Sequence, residues 1–375
     1  MRRIPAILAV LISVLLLCSC NGNAPLEASY TTSSYTLRLD DGKVVSDTDW
    51  VVNLNKPKDR DFVILNLTDI QLSTTEYILN FDHIRDMVTS LVETVKPDLI
   101  TYLGDMSYGH WGSDLGISSF IDSFGIPWAP VYGNHDMEDS GMSPDTLAKL
   151  FRNFRNCIFR DGQSLLAVDP SYNVEDKGNY VVNIVDIQDD GFEVVKSLVF
   201  FNSGTEGVTD LQMKWYQDCM DSVSHYGGSD PVSSAVFMHI PIYEYRTAIY
   251  EACGYRYVTP AESYDPSSWN PGYEGSFGVW HEGIGYRNGK PGFADILKAK
   301  GNDLLVCGHN HTNNFCVDYD GMTYLYVLKT GPGCYYEEGM EGGTEISISA
   351  SGDADVEHWY FYDGHGCFNR PQEFN

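Results

Sequence analysis

The sequence is short of positive charge. Its 375 residues carry 24 lysines and arginines against 52 aspartates and glutamates, a formal charge of −28. So acidic a chain is repelled by phosphate backbones, which argues against nucleic acid as a stable partner. Any phosphate it handles must meet positive charge from another source, and metal ions are the obvious one. No CxxC pair is present, so neither a zinc ribbon nor a dithiol redox site is indicated. No internal repeat is visible. The one long apolar stretch, at the N-terminus, has about 14 residues and is short for a membrane span.

That stretch, "MRRIPAILAVLISVLLLCSC", has two arginines, an apolar core and small residues before a cysteine. It reads as a secretory signal over residues 1–19. Its end, Leu17-Cys18-Ser19-Cys20, resembles a bacterial lipobox, with Cys20 as the lipidated residue. The expectation is a protein of a bacterial cell envelope, held to the membrane through a lipid on Cys20. A plain cleaved signal is the alternative. Residues 20–34 are small, polar and unpatterned, and read as a tether. Residues 35–375 read as a single domain, long enough for a large core. Seven cysteines follow Cys20, an odd number, so at least one is unpaired within the chain. Cys307, inside "LLVCG", reads as a buried thiol.

The pattern alternates strands with helices. "YTLRLDDGKVV" reads as a hairpin turning at Asp41-Gly42. "FVILNLTDIQ" is a buried strand. In "DHIRDMVTSLVETVKPD", residues Ile84, Met87, Val88, Leu91, Val92 and Val95 recur at helical spacing, and Pro97 ends the pattern. "DLITYLGD" and "WAPVYGNHD" are further strands. Two strands flank Asp190-Gly191. A helix capped by Thr209 follows, then a strand ending at His239. Residues 245–290 are rich in Tyr, Gly and Pro with little periodicity, and read as an ordered insertion facing a substrate. "GFADILKAKG" is a short helix closed by Gly301. "LLVC", "MTYLYVLKTG", "TEISISA" and "VEHWYFYDG" are strands. This rhythm points to an α/β sheet with its chemistry at strand C-termini.

Polar groups cluster at five of those strand ends. Asp69 and Gln71 follow "VILNLT", and Asp105 follows "LITYLG". Asn134, His135 and Asp136 follow "WAPVYG". His239 follows "AVFM", and His309 and His311 follow "LLVCG". These are oxygen and nitrogen donors without a thiolate, suited to hard or borderline divalent ions. The blocks resemble those of the calcineurin-like metallophosphoesterase superfamily, D-x-H, GD, GNH[DE], H and GHxH, over residues 62–315. The resemblance implies two packed mixed β-sheets flanked by helices, an α/β/β/α sandwich, with two metals between them. By position, Asp69 and His311 would hold the first metal. Asn134, His239 and His309 would hold the second, and Asp105 would bridge both. The nucleophile would be a hydroxide between the ions. His135 would be the general acid for the leaving oxygen, oriented by Asp136.

One position departs from the pattern: Gln71 stands where the superfamily has histidine. An amide oxygen suits Mn²⁺ or Mg²⁺ better than Zn²⁺, with Fe or Zn as alternatives. "GDMSY" also matches the GDxxY block of purple acid phosphatases, which makes Tyr108 an alternative ligand. At the pocket mouth, His110 and Trp111 are candidates to line the pocket, and Trp280, His281 and the tyrosines of the insertion to stack on an aromatic leaving group. The expected activity is hydrolysis of small phosphate mono- or diesters. A nucleotide-diphosphate pyrophosphatase, or a non-catalytic binding lipoprotein that keeps the fold, are the alternatives.

Overall fold

The computed structural model describes residues 37–38, 44–45, 50–138, 142–162, 177–188, 191–229 and 231–372. The signal segment, the tether and the turns at Asp41-Gly42 and Asp190 lie outside the described residues. The elements run β1 (Leu37–Arg38), β2 (Val44–Val45), β3 (Val51–Asn55), β4 (Phe62–Leu67), α1 (Thr74–Val95), β5 (Leu99–Leu103), α2 (Trp111–Asp122) and β6 (Trp128–Val131). They continue with α3 (Pro144–Phe151), β7 (Tyr180–Gln188), β8 (Gly191–Phe200), α4 (Asp210–Gly227), β9 (Ser234–Phe237), α5 (Glu244–Cys253) and α6 (Phe293–Lys298). The last part is β10 (Asn302–Cys307), β11 (Cys316–Tyr319), β12 (Met322–Tyr326), β13 (Gly342–Ile348), β14 (Ala354–Tyr362) and β15 (Gly366–Phe368).

Two mixed sheets carry the fold. One has seven strands in the order β11-β12-β10-β9-β8-β7-β3, the other six in the order β15-β14-β13-β4-β5-β6. In the first, β8, β9, β10 and β12 run parallel. In the second, β4, β5 and β6 run parallel. Every residue of β5, β6 and β9 is buried. That is why these strands read as unbroken apolar runs and not as alternating ones. Helices α1 and α2 lie with the six-stranded sheet, and α4, α5 and α6 with the seven-stranded one. The α/β architecture of two mixed sheets flanked by helices is thus what the structure shows.

Aromatic rings stack across neighbouring strands of the seven-stranded sheet. The Tyr180 ring on β7 stacks on Phe200 at 4.7 Å, and Phe200 on Phe237 at 5.0 Å. Tyr180 also donates its hydroxyl hydrogen to Pro130 O on β6, 2.8 Å away, tying one sheet to the other. The apolar rings favour burial, and the one polar atom of Tyr180 is satisfied, as a buried phenol requires.

Local signals explain the helices. Thr209 caps α4 in a reciprocal capping box with Gln212. Helix α1 starts at Thr74, before the residues that carry its apolar periodicity. Helix α3 begins with Ser143 as cap and Pro144 at its first turn, a start signal present in the sequence. The insertion expected over residues 245–290 is not all loop, since its first part is α5. Tyr245, Ala248, Ile249, Ala252 and Cys253 form the buried face of that helix, and Gly254 ends it in a left-handed conformation. The short helix masked its periodicity among tyrosines that also suit strands. All seven cysteines beyond Cys20 are free thiols in the structure, and Cys307 is fully buried.

His358 on β14 is fully buried and joins the six-stranded sheet to the loop after β10. Its Nε2 donates to Asn314 O at 2.5 Å, and Thr344 Oγ1, 2.9 Å away, donates to its Nδ1. Both ring nitrogens are therefore used by a neutral imidazole. Burial pushes its pKa down, to about 4. An unfolded chain takes up that proton near 6.5. Between these values the unfolded state holds more protons, so stability falls as pH drops from about 6.5 to about 4. Over that whole range the contribution is on the order of 3 kcal/mol. With chelator present, wild type should lose more melting temperature between pH 7 and pH 5 than His358→Gln. Parallel pH profiles for the two proteins would refute this.

Candidate metal centre

The five polar strand ends converge. Asp69 and Gln71 follow β4, Asp105 follows β5, and Asn134 follows β6, all at the carboxyl edge of three parallel strands. His239 follows β9, and His309 and His311 follow β10, at the corresponding edge of the other sheet. Ligand atoms of Asp105, His239 and His309 lie within 4.8 Å of one another, and so do those of Asp69, Asp105 and His311. Asp105 belongs to both groups.

The contacts are specific. Asp105 Oδ2 lies 3.1 Å from His239 Nε2 and accepts from Gln71 Nε2 at 3.0 Å. Asp105 Oδ1 accepts the His135 backbone N–H at 2.8 Å. His309 Nδ1 lies 3.3 Å from His239 Nε2, and His311 Nε2 lies 3.4 Å from Asp69 Oδ1. The second nitrogen is anchored to a carbonyl in two of the histidines. His239 Nδ1 donates to Leu103 O at 2.7 Å, and His311 Nδ1 to Tyr335 O at 2.8 Å. Such anchoring fixes the tautomer that turns Nε2 inward.

Three observations fit this cluster to divalent cations. Asp69 Oδ1, Gln71 Oε1 and Asn134 Oδ1 are buried without a hydrogen-bond partner among the described residues. A buried polar oxygen left so costs about 1–3 kcal/mol, unless something outside the chain satisfies it. Asp69, Gln71, Asp105 and His309 all have positive φ, between 50° and 78°. Strain of roughly 1–3 kcal/mol each at non-glycine residues marks functional sites. The donors are carboxylate, amide and imidazole, with no thiolate.

The electrostatics agree. Burial disfavours the charged form of Asp69, but His239, His311 and Lys329 outweigh it and hold its carboxyl well below the usual range. Burial also opposes a charged His239, yet Asp105 beside it lifts the ring to about 9. His309, buried and facing His239, is driven down to about 3, with the Arg287 charge contributing. Two imidazoles at this distance cannot both carry a proton.

The structure corrects the expected role of Asp136. Its carboxylate does not orient His135. It accepts the backbone N–H groups of Met106 and Gly133 at 2.7 Å each, and that of Asp105 at 2.9 Å. It pins the β5 and β6 ends together, and burial beside Asp105 raises its pKa to about 6. His135 Nδ1 instead lies 2.7 Å from Glu138 Oε1. Sequence reasoning took the adjacent acid, whereas the turn after β6 brings the residue three positions on to the ring. Trp280 is also not at the mouth. It is 4% exposed, packed against Tyr250 and Tyr257. His281 is held 3.0 Å from Glu337. The Tyr108 ring packs edge-on against His135, with centroids 5.0 Å apart. Trp111, half-exposed, opens α2.

Two residues were missed. Lys329 is buried and donates to Asp69 O, placing a fixed ammonium behind the carboxylates. Tyr335, 48% exposed, stacks on His311 at 4.2 Å, and its hydroxyl donates to Glu282 Oε2 at 2.9 Å. Nothing local in "VLKTG" or "GCYYEEG" marks them, because both act through contacts far away in sequence.

The chain belongs to the calcineurin-like phosphoesterase family, whose profile matches residues 62–313. This is a family of metal-dependent phosphoesterases with a binuclear centre. Over 297 residues the chain is 25% identical to probable inactive purple acid phosphatase 28 of Arabidopsis thaliana. That match covers 70% of this chain and 66% of the plant protein. It is 24% identical over 279 residues to phosphatase DCR2 of Saccharomyces cerevisiae, covering 70% of this chain and 44% of the yeast protein. The chain thus spans less than two thirds of the length of these relatives. A dimetal phosphatase from Danio rerio aligns with TM-score 0.46 at 13% identity, over 77% of this chain and 93% of that one.

The close packing at the centre gives a direct test. A Cβ on Gly133 would come within 2.7 Å of the Asp105 carboxyl carbon, and one on Gly308 within 2.7 Å of Asp69 Oδ2. Gly133→Ala must therefore displace Asp105. It should lower stability by about 2 kcal/mol or more in the presence of chelator. An unchanged melting temperature would show that the two strand ends are not packed this tightly.

Proposed function

We propose that this protein is a metal-dependent phosphoric ester hydrolase acting on small phosphate mono- or diesters. The observation that carries the reading is the convergence of Asp69, Asp105, His239, His309 and His311, with buried oxygens of Asp69, Gln71 and Asn134 left without a partner among the described residues. In this reading Asp69, Gln71 and His311 would hold one divalent ion and Asn134, His239 and His309 the other, with Asp105 a member of both ligand groups. Gln71 is preferred over Tyr108 because its amide nitrogen is used on Asp105 while its oxygen is left without a partner. Oxygen-rich donors favour Mn²⁺ or Mg²⁺. When bound, the two ions neutralise phosphate charge and make a water acidic enough to attack at neutral pH.

The chain's own groups do the rest. Asp136 fixes the loops that carry Asp105 and Asn134. His135 reaches the centre from a partly exposed position, its Nε2 3.9 Å from Asp105 Oδ2. With Glu138 beside Nδ1 to stabilise the imidazolium, Nε2 can pass a proton to the leaving oxygen. The edge of the Tyr108 ring limits where His135 can swing. Export and a lipid anchor on Cys20 remain part of the proposal, on the strength of the N-terminal sequence alone.

A second reading is a non-catalytic binding protein, favoured by the name of the Arabidopsis relative. Turnover separates the two. With Mn²⁺ the protein should hydrolyse p-nitrophenyl phosphate or its bis ester, lose the activity to chelator, and regain it on re-addition. The loaded protein should be colourless, and Asp105→Asn should bind fewer than two metals while remaining folded. Two bound metals in the wild type with no turnover of either ester would favour the binding reading.

The proton-donor role makes a separate prediction. His135→Ala should slow hydrolysis of an alkyl phosphate by on the order of 10²–10⁴-fold. The effect on p-nitrophenyl phosphate, whose leaving group needs no proton, should be much smaller. Equal losses on both substrates would assign His135 to positioning.

A further inference from the structure

Three loop segments meet around the imidazole of His311. Glu282 N donates to Asn313 Oδ1 at 3.1 Å, and Asn313 Nδ2 donates to Glu282 O at 3.2 Å. These bonds tie residues 280–282 to residues 311–313. The Glu282 carboxylate then spans two neighbours. Its Oε1 accepts the N–H of Thr312, next in the chain to His311, at 2.9 Å. Its Oε2 accepts the Tyr335 hydroxyl, also at 2.9 Å. Tyr335 in turn holds His311 in two ways. Its carbonyl accepts from His311 Nδ1 at 2.8 Å, and its ring stacks on the same imidazole at 4.2 Å, with 25° between the planes.

The segment that carries Tyr335 is itself closely seated. A Cβ on Gly333 would come within 2.2 Å of Ile70 O and 2.7 Å of Gln71 O, so only glycine allows the chain to pass there. Glu337, two residues beyond Tyr335, has its Oε2 3.0 Å from His281 Nδ1, a second tie between the same two loops. These contacts converge on one ligand group, that of His311 with Asp69 and Asp105. His239, in the other group, is anchored instead by Leu103 O at the end of β5.

A hydrogen bond at Nδ1 alone leaves an imidazole free to turn about its last torsion, whose minimum is broad. A ring stacked on its face removes that freedom and keeps the Nε2 lone pair on one line. The stacking ring must itself be held, and Tyr335 is half-exposed, so its tie to Glu282 supplies the restraint. An imidazole that shares Nε2 electrons with a cation becomes electron-poor, and the face of a phenol attracts such a ring.

We propose that Tyr335 and Glu282 are positioning residues for His311, setting the affinity of one metal position and not of the other. Through Glu282, the insertion thereby supports part of the centre without supplying a ligand. This inference rests on the metal-centre reading of the proposed function.

The test has two readouts on the full chain. The first is calorimetric titration of the metal-free protein with Mn²⁺. Tyr335→Phe and Glu282→Ala should each weaken one of two binding steps, by about 10–100-fold for the alanine variant, and leave the other step unchanged. Glu282→Gln should bind almost as wild type, since its amide oxygen can accept from Thr312 and its amide nitrogen can donate to Tyr335. Tyr335→Phe should add nothing in the Glu282→Ala background, because both changes break the same bond. The second readout needs no metal. In ¹⁵N-histidine spectra of the metal-free chain, with His311 assigned by His311→Gln, wild type should show a fixed Nδ1–H tautomer. Glu282→Ala should average it with the other. Equal weakening of both steps, an unchanged titration, or a Glu282→Gln as impaired as Glu282→Ala overturns the inference. If wild type binds fewer than two Mn²⁺ but its tautomer is fixed and Glu282→Ala releases it, the metal-centre reading falls and the positioning of His311 stands. Two bound Mn²⁺ with titration and tautomer alike in all variants gives the reverse.

Discussion

Like charges crowded out of water are the constraint on which the centre depends. Asp69, Asp105 and Asp136 are all buried within a few residues of the ends of three adjoining strands. In a low-dielectric interior such groups repel one another and resist ionisation unless cations or N–H donors answer them. Each has a different answer. Asp136 is met by backbone N–H groups, Asp69 by His311 and the buried Lys329, and Asp105 by His239, Gln71 and the His135 N–H. Beside them Asp69 Oδ1, Gln71 Oε1 and Asn134 Oδ1 are buried with no hydrogen-bond partner among the described residues. A site so arranged is completed by cations from outside, which is the chemistry the family uses.

That arrangement sets a requirement on the rest of the fold. Ligands with positive φ stay in place only if the surrounding structure over-determines them. Here the strands do so from both sides. Asp69 N donates to Gly104 O at 3.1 Å, Gly308 N to His239 O at 3.2 Å, and Thr330 N to Thr68 O at 2.9 Å. His309 N donates to Asp69 Oδ2 at 3.0 Å, across from one sheet to the other. The metal-facing edge is therefore rigid main chain at the ends of buried parallel strands. Around it lie side chains on loops, such as Tyr335, which stacks on His311. A scaffold of this kind can vary its mouth while the centre stays fixed.

Much of this was legible in the sequence. The parallel strands announced themselves as apolar runs because both faces are covered, and each ended in a donor residue. Helix α4 was marked by its Thr209 cap. Short helices were harder. In α2 the apolar spacing is diluted by serines and glycine, and α5 sits in a tyrosine-rich stretch whose composition suits loops and strands equally. The centre itself was readable as a list of residues in chain order. Which donor faces which was a matter of family resemblance until the strands were placed.

What the sequence by itself determined, then, is the set of strands, the polar groups at their ends and the excess of negative charge, since each depends on neighbours within a few residues. Tertiary structure alone decided the partnerships. Asp136, next to His135 in the chain, turned away to hold backbone, and Glu138 took its place at the ring. Lys329 came to lie under Asp69, and Tyr335 on His311, across hundreds of residues in one case and tens in the other. Such pairings follow from the angle at which a strand end turns and from how two sheets pack, and local sequence carries neither.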